Sequence, residues 1–336
     1  MPREPGKAVA RTPRLPPPGA RAIVRRVMIS RPAIAAAAAR LAPYIRHTPI
    51  VEIGDVAGQS LRATLKLELL QHTGSFKPRG AFNRLLTTSI PASGAIGASG
   101  GNHGAAVAYA ARALGVPAEI FVPAGTPPTK TGRIAGYGAR VIQGGTAYAD
   151  ALAACQTRQA ETGALDVHAY DQPEVLAGQG TVGREFEQDA PDLTHILVAV
   201  GGGGLIGGIA AWYAGSAAVI AIEPEGCPTL HTALRMGHPV DCPVSGLAAD
   251  ALGARKVGAA MFPIAQSFVA ESVLVPDEAI VAAQRFLWEH LRLIAEPGGA
   301  AALAALLSGR FVAPKGARVG VVVCGGNTDP GKILSP

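Results

Sequence analysis

The stretch HILVAVGGGGLIGGIAAWYA, residues 195–214, decides the fold. HILVAV is apolar without alternation and reads as a buried strand. Four glycines follow at once, and LIGGIAAWYA continues as a helix. A strand, a glycine turn and a helix in that order are the front of a βαβ unit. Backbone N–H groups free of side-chain obstruction, aimed from a helix N-terminus, make a cradle for a phosphate. Gly202, Gly204 and Gly207 also satisfy GxGxxG, and Glu223 follows ~20 residues on at a strand end, the spacing of a dinucleotide site. No Lys-Ser/Thr pair follows the last glycine, which excludes a P-loop.

Outward from this turn the same alternation repeats. Upstream, AIGASGGNHGAAVAYAARALG (95–115) holds a short strand near Ala95, a glycine turn and a helix from His103 to Leu114. AEIFVP (118–123) and ARVIQGG read as strands, with TPPTKTGRIAGYG and DALAACQTRQAETG as helices between and after them. RHTPIVEI and LRATLKLELL read as two further strands, and Ser30 and Pro32 open an alanine-rich helix over Ala33–Ala42. Downstream, AVIAIEPEG, SVLVPDEAIVAAQRFLWEH, EPGGAAALAALLSG and RVGVVVCGGN continue the pattern, while residues 224–256 read as irregular. Strands alternating with helices predict an α/β fold with parallel sheets. Its division is predicted as a small domain at 90–165 and a larger doubly wound domain at 28–89 and 166–336.

Three further stretches carry chemistry. TGSFKPRGAFNRL (73–85) places Lys77 at the mouth of a helix, with Ser75 expected as N-cap and Pro78 in the first turn. Ala81, Leu85 and Leu86 follow at helical spacing. A cation at the positive end of a helix is poorly placed, and a neutral amine or a Schiff base to a phosphate-bearing aldehyde relieves the conflict. Ser99-Gly100-Gly101-Asn102-His103 offers backbone N–H groups and an amide at another helix start, suited to a carboxylate or a phenolic oxygen. VVVCGGN puts Cys324 at the carboxyl end of a buried strand, where ligands sit in open α/β sheets.

The chain has 336 residues, 49% hydrophobic and only 16% charged, enough for a large core and suggestive of buried subunit contacts. The net charge of +6 is local: Arg3, Lys7, Arg11, Arg14, Arg21, Arg25 and Arg26 face Glu4 alone in residues 1–27, and the remainder balances. This Pro/Arg-rich tail is expected to be disordered, a leader or an upstream start with Met28 as the true beginning, since no aromatic pattern marks it as a nucleic-acid arm. Cys155, Cys227, Cys242 and Cys324 show no CxxC pair and predict reduced thiols in the cytoplasm. No apolar run of transmembrane length is present.

Together the segments TGSFKPRGA, ASGGNHG, GGGGLIGG and VVVCGGN resemble the fold type II pyridoxal-phosphate enzymes (tryptophan synthase β-like), in particular the serine/threonine dehydratase and serine racemase group. The similarity runs from about Pro49 to Asn327. It implies a two-domain α/β fold with parallel or mixed sheets, pyridoxal 5'-phosphate as cofactor, a small-molecule amino acid as substrate and a homodimer, with no nucleic-acid or membrane partner. It implies Lys77 as the Schiff-base lysine and Cα base. Gly201, Gly202, Gly203, Gly204 and Leu205 would lie at the cofactor phosphate, Asn102 at its phenolic oxygen, Cys324 at the pyridine nitrogen, Phe76 against the ring and Glu296 nearby. Ser99, Gly100, Gly101, Asn102 and His103 would hold the substrate carboxylate, with Asp250 of SGLAADALG (245–253) and His72 near the substrate. The implied reaction dehydrates and deaminates a β-hydroxy-α-amino acid, L-threonine, L-serine or a relative, to a 2-oxo acid and ammonia.

Departures from the group are informative. Where racemases carry a serine two residues before the loop asparagine, this chain has Gly100, which favours dehydration. Alternatives are a serine or hydroxyaspartate racemase, a hydroxyaspartate or phenylserine dehydratase, and, more distantly, a nicotinamide-dependent Rossmann oxidoreductase. Glu223 matches the first ligand of a divalent-cation site found in some members, but Thr229 stands where an aspartate is expected, so no metal is predicted. With an end at Pro336, a carboxyl-terminal regulatory domain is not expected.

Overall fold

The structure, a computed structural model, describes residues 29–54 and 62–334. The basic segment 1–27 and the start at Met28 lie outside the described residues. Helix α1 (Arg31–Leu41) begins where the Ser30 hydroxyl accepts the Ala33 N–H at 3.4 Å, with Pro32 in the first turn. Strands β1 (Ile50–Ile53) and β2 (Ala63–Lys66) follow, then two short 3-10 turns, Glu68–Leu70 and His72–Gly74. The chain continues through α2 (Lys77–Thr87), β3 (Ala95–Ala98), α3 (Asn102–Ala113), β4 (Ala118–Val122), α4 (Pro128–Gly136), β5 (Arg140–Gln143), α5 (Tyr148–Thr162) and β6 (Leu165–Asp166). Next come α6 (Pro173–Asp189), β7 (His195–Ala199), α7 (Gly204–Tyr213), β8 (Ala218–Pro224), α8 (Thr229–Met236), α9 (Ala249–Leu252) and α10 (Phe262–Phe268). Last are β9 (Val269–Val275), α11 (Asp277–Leu291), α12 (Pro297–Leu307), β10 (Val319–Val322) and α13 (Gly331–Leu334).

Two sheets organise these elements. The larger has six strands in the order β1-β2-β10-β7-β8-β9, and the smaller has four in the order β5-β4-β3-β6. All pairings are parallel except β1 with β2. The mostly parallel α/β sheets read from the sequence are therefore present. Parallel strands need helices on both faces, and the runs Ile196–Val200 and Val319–Val323 are buried throughout their apolar positions. A separate apolar cluster joins Phe82 and Leu85 of α2 to Ala105–Ala108 of α3 and Ile120 of β4.

Close helix packing explains part of the glycine content. Gly208 of α7 lies against the backbone of Gly180 in α6, and a methyl group at either would collide. The sequence reading of 224–256 as irregular is corrected: α8 and α9 lie within it. Leu230 and Ala233 give α8 a buried face, but Pro228 and Gly237 bracket an eight-residue helix so tightly that its period is hidden. No helix among the described residues is long and apolar enough to cross a membrane.

Candidate active site

Parallel strands deliver their carboxyl ends to one edge, where the following turns line a shared cleft. The turn after β7, Gly201–Gly204, meets the start of α2 at Phe76 and Lys77, the start of α3 at Asn102, the start of α12 at Glu296, and Cys324 just beyond β10. Every residue the sequence assigned to the cofactor is thus in one place: Phe76, Lys77, Asn102, Gly201, Gly202, Gly203, Gly204, Leu205, Glu296 and Cys324.

The lysine is presented by a strained, cross-linked segment. Thr73 has φ 61°, uncommon for a β-branched residue, and Gly74 follows at φ 73°. The Asn327 amide donates to the Thr73 carbonyl at 2.7 Å, and the Phe76 N–H donates to the Cys324 carbonyl at 3.2 Å. Ser75 and Gly325 pair as an isolated antiparallel bridge. The expected N-cap role of Ser75 is corrected: the cap position is Phe76, without a side-chain bond, and the Ser75 hydroxyl is buried with no partner among the described residues. A Ser75 cap would look to the third helical N–H, and that residue is Pro78, which has none.

Lys77 Nζ donates to the Ala169 carbonyl at 2.9 Å. Burial lowers its pKa to about 8, against a partial opposing pull from Cys324 and Glu296. An amine titrating there is available as nucleophile and base near neutrality. Burial pushes the Cys324 thiol well up, so it stays protonated, and Sγ donates to the Gly298 carbonyl at 3.3 Å. Burial also raises Glu296 to about 7, with the Asn102 amide pulling the other way through a 2.5 Å bond. Asn102 Oδ1 in turn accepts from Asn327 at 2.7 Å, so the amide is held on both sides.

The glycine turn needs its glycines. Gly203 has φ 90°, and a methyl group there would press on Met261. At Gly202 and Gly204 a methyl group would run into Tyr170, whose ring covers the turn. A bare backbone cradle at the start of α7 and a lysine with a depressed pKa fit a phosphate-bearing aldehyde such as pyridoxal phosphate.

The substrate residues divide. The Ser99 hydroxyl accepts the Gly101 N–H at 3.2 Å, shaping the loop before Asn102. His103 points inward, bonded to the Val167 carbonyl at 2.6 Å, and burial lowers its pKa to about 3, so it is neutral. Asp250 stands at the rim, largely exposed, paired with Lys130. His72 stacks on Tyr109 at 5.0 Å. Sequence reasoning missed Ala169 and Tyr170, which approach from a loop with no local signature, named no role for Leu252 at the end of α9, and left Asn327 without a role although it ends a quoted motif.

Glu223 is occupied elsewhere. Its carboxylate accepts the Leu230 and His231 N–H groups, each at 2.7 Å, and the Ser272 hydroxyl at 3.2 Å. It caps α8 and is not free to bind a ribose, which removes the support for a dinucleotide site. Thr229 donates to the Ala254 carbonyl at 2.8 Å. Among the described residues no group of three or more His, Cys, Asp or Glu is placed to hold a metal ion.

Comparison with known proteins agrees with this geometry. A family model described as "Pyridoxal-phosphate dependent enzyme" matches residues 41–325. The L-threonine ammonia-lyase of Geobacter sulfurreducens is 41% identical over 298 residues, covering 86% of this chain and 73% of that protein. A serine racemase of Oryza sativa subsp. indica is 34% identical, covering 88% of this chain and 90% of the other. The structure of maize serine racemase superposes with a TM-score of 0.86 at 32% identity, covering 90% of this chain and 95% of that one.

Proposed function

This chain belongs to the pyridoxal-phosphate dependent enzymes, and from that premise we propose that it is an ammonia-lyase of the threonine/serine dehydratase type. The observation that carries the reading is the Lys77 amine, its pKa lowered to about 8, in one cleft with the glycine turn and the Cys324 thiol. Lys77 would hold the cofactor aldehyde, with the turn Gly201–Gly204 at the phosphate, Leu205 beside it and Phe76 along the ring. Asn102 would meet the phenolic oxygen and Cys324 the pyridine nitrogen.

When bound, the cofactor supplies an electron-withdrawing ring that acidifies the Cα–H of the amino acid joined to it. The Lys77 amine, with its pKa lowered to about 8, is the base in the cleft that would take that proton. The backbone of 99–103 orients the α-carboxylate, helped by the N-terminus of α3. Cys324, kept a neutral thiol by burial, would offer the ring no more than a weak hydrogen bond and would keep its proton. Loss of the β-hydroxyl as water, then hydrolysis of the released enamine, gives a 2-oxo acid and ammonia. A panel of hydroxy-amino acids scored for keto acid tests the proposal, with L-threonine or L-serine turned over. No keto acid from any of them would overturn it.

Gly100 bears on the racemase alternative. A methyl group there would stand 2.8 Å from Thr126 Cγ2, so a side chain at this position has no room unless Thr126 shifts. Gly100→Ser combined with Thr126→Ser is expected to gain measurable D-serine formation from L-serine by chiral chromatography. Unchanged stereochemical inertness would show that more than one residue sets the outcome.

The two sheets support reading 90–165 as a smaller unit over the cofactor-bearing body of 28–89 and 166–336. The four free cysteines, all buried, support a reduced cytoplasmic setting. A homodimer is proposed from the low charged content.

A further inference from the structure

We infer that His168 is a positioning residue for the cofactor site. Its neutral imidazole, through Nδ1, folds the loop that gives Lys77 its carbonyl partner and lays Tyr170 over the glycine turn. The inference deepens the reading of Lys77 as the cofactor lysine and rests on it.

The segment 167–172 leaves β6 of the smaller sheet and enters α6, whose Leu176, Val182 and Phe186 join the core of the larger one. No helix or strand spans it, so its shape depends on side chains. The Ala169 carbonyl accepts from Lys77 Nζ at 2.9 Å. Tyr170 lines the cleft, close enough to Gly202 and Gly204 that a methyl group at either would strike it.

His168 sets this loop. Its Nδ1 accepts the Tyr170 N–H at 3.2 Å and the Asp171 N–H at 2.9 Å. A ring nitrogen that accepts two N–H groups carries no proton, so the ring is the neutral tautomer with its hydrogen on Nε2. The pattern is that of an Asx turn, made here by a longer side chain. The same ring meets the Tyr170 ring edge-on, 4.7 Å between centroids. Gln172 closes the loop, accepting the His168 N–H at 3.0 Å and donating to the Asp166 carboxylate at 3.0 Å. Asp171 ties it to the far wall, accepting the Ala259 and Ala260 N–H groups at 2.9 and 2.8 Å. From that wall the Gly258 N–H donates to the Gly202 carbonyl at 3.0 Å. One histidine thus stands between the lysine and the phosphate cradle.

The surroundings favour the neutral ring. Partial burial lowers its pKa, against the pull of Asp166 and Asp171, and Lys77 adds to the lowering. His103, which also feels His168, is itself neutral. Lys77 owes its pKa of about 8 first to removal from water. Release of the loop would rehydrate the amine and return it toward the ordinary lysine value of 10.5.

The test uses the full-length apoprotein and two probes. Pyridoxal phosphate uptake against pH reads Lys77. Binding of 4'-deoxypyridoxine 5'-phosphate, which has no aldehyde, reads the glycine turn and Tyr170. His168→Leu is expected to raise the uptake midpoint by about 1 pH unit or more. It should also weaken the analogue by about 10-fold, the worth of one hydrogen bond. His168→Asn, whose Oδ1 can accept the same two N–H groups, should recover most of both changes. A histidine that only filled space would be replaced better by Leu than by Asn. In the wild type, 15N-labelled histidine should show His168 with Nδ1 bare and Nε2 protonated from about pH 6 to about pH 9, its signal identified by loss in His168→Asn. If the Leu variant does not fold, the Asn variant and this spectrum decide. A protonated Nδ1, an Asn variant no better than Leu, or both probes unmoved in His168→Leu would overturn the inference alone. Wild-type apoprotein that takes up no pyridoxal phosphate at any pH would instead overturn the cofactor role of Lys77.

Discussion

Lys77→Ala is expected to lower ammonia release from hydroxy-amino acids by about 10⁴-fold or more, since a positioned base alone contributes 10²–10⁴ and the covalent anchor is lost as well. The same variant should lose the visible absorption of the lysine-bound cofactor. Both follow from one side chain, whose amine sits in the cleft with its pKa lowered to about 8 by burial. The pH dependence has a definite sign. Uptake of pyridoxal phosphate by the apoprotein requires the neutral amine, so its rate should rise with pH up to about 8 and then level. Undiminished turnover in Lys77→Ala would mean that another group performs the chemistry.

Arg79→Leu is expected to destabilise the fold by about 3–5 kcal/mol, read as a fall in the urea midpoint, because it strips the partner from buried carboxylates. Arg79 is fully buried two residues after Lys77. Its guanidinium donates to Glu68 at 2.8 and 2.7 Å, to Glu185 at 2.7 and 2.8 Å, and to Thr181 at 3.1 Å. Lys66 lies 3.2 Å from Glu185 and makes a second buried cation in the same cluster. Arg79→Lys should be destabilising too, because an ammonium cannot serve both carboxylates as a fork does. A midpoint unchanged in both variants would show that Glu68 and Glu185 find other partners.

What was legible in the sequence was whatever is local. The glycine turn, Lys77, Asn102 and Cys324 each follow a strand or open a helix, and the carboxyl edge of parallel strands gathers such positions without knowledge of the packing. What stayed hidden depends on distant partners. Arg79 carries no local sign of its burial, because charged side chains are seldom buried unless paired, and its partner Glu185 is 106 positions away. Ala169 and Tyr170 come from the loop after β6, where no spacing announces that a carbonyl will meet Lys77 or that a ring will cover the glycine turn. Ser75 was misread because its backbone pairs with distant Gly325 and the helix starts one residue later, with Pro78 offering no N–H to a cap. The helices within 224–256 were lost to the prolines and glycines that terminate them.

The position of β10 in the larger sheet, between β2 and β7, has a consequence for biogenesis. While the ribosome is still making residues before Val319, the nascent chain holds two half-sheets whose inner edges are unsatisfied, a state prone to association with other chains. The last strand closes that gap and, through the Ser75–Gly325 bridge, draws Lys77 and Cys324 together. Vitamin capture is therefore a late event of synthesis, and nascent chains arrested before that strand should engage chaperones and remain colourless.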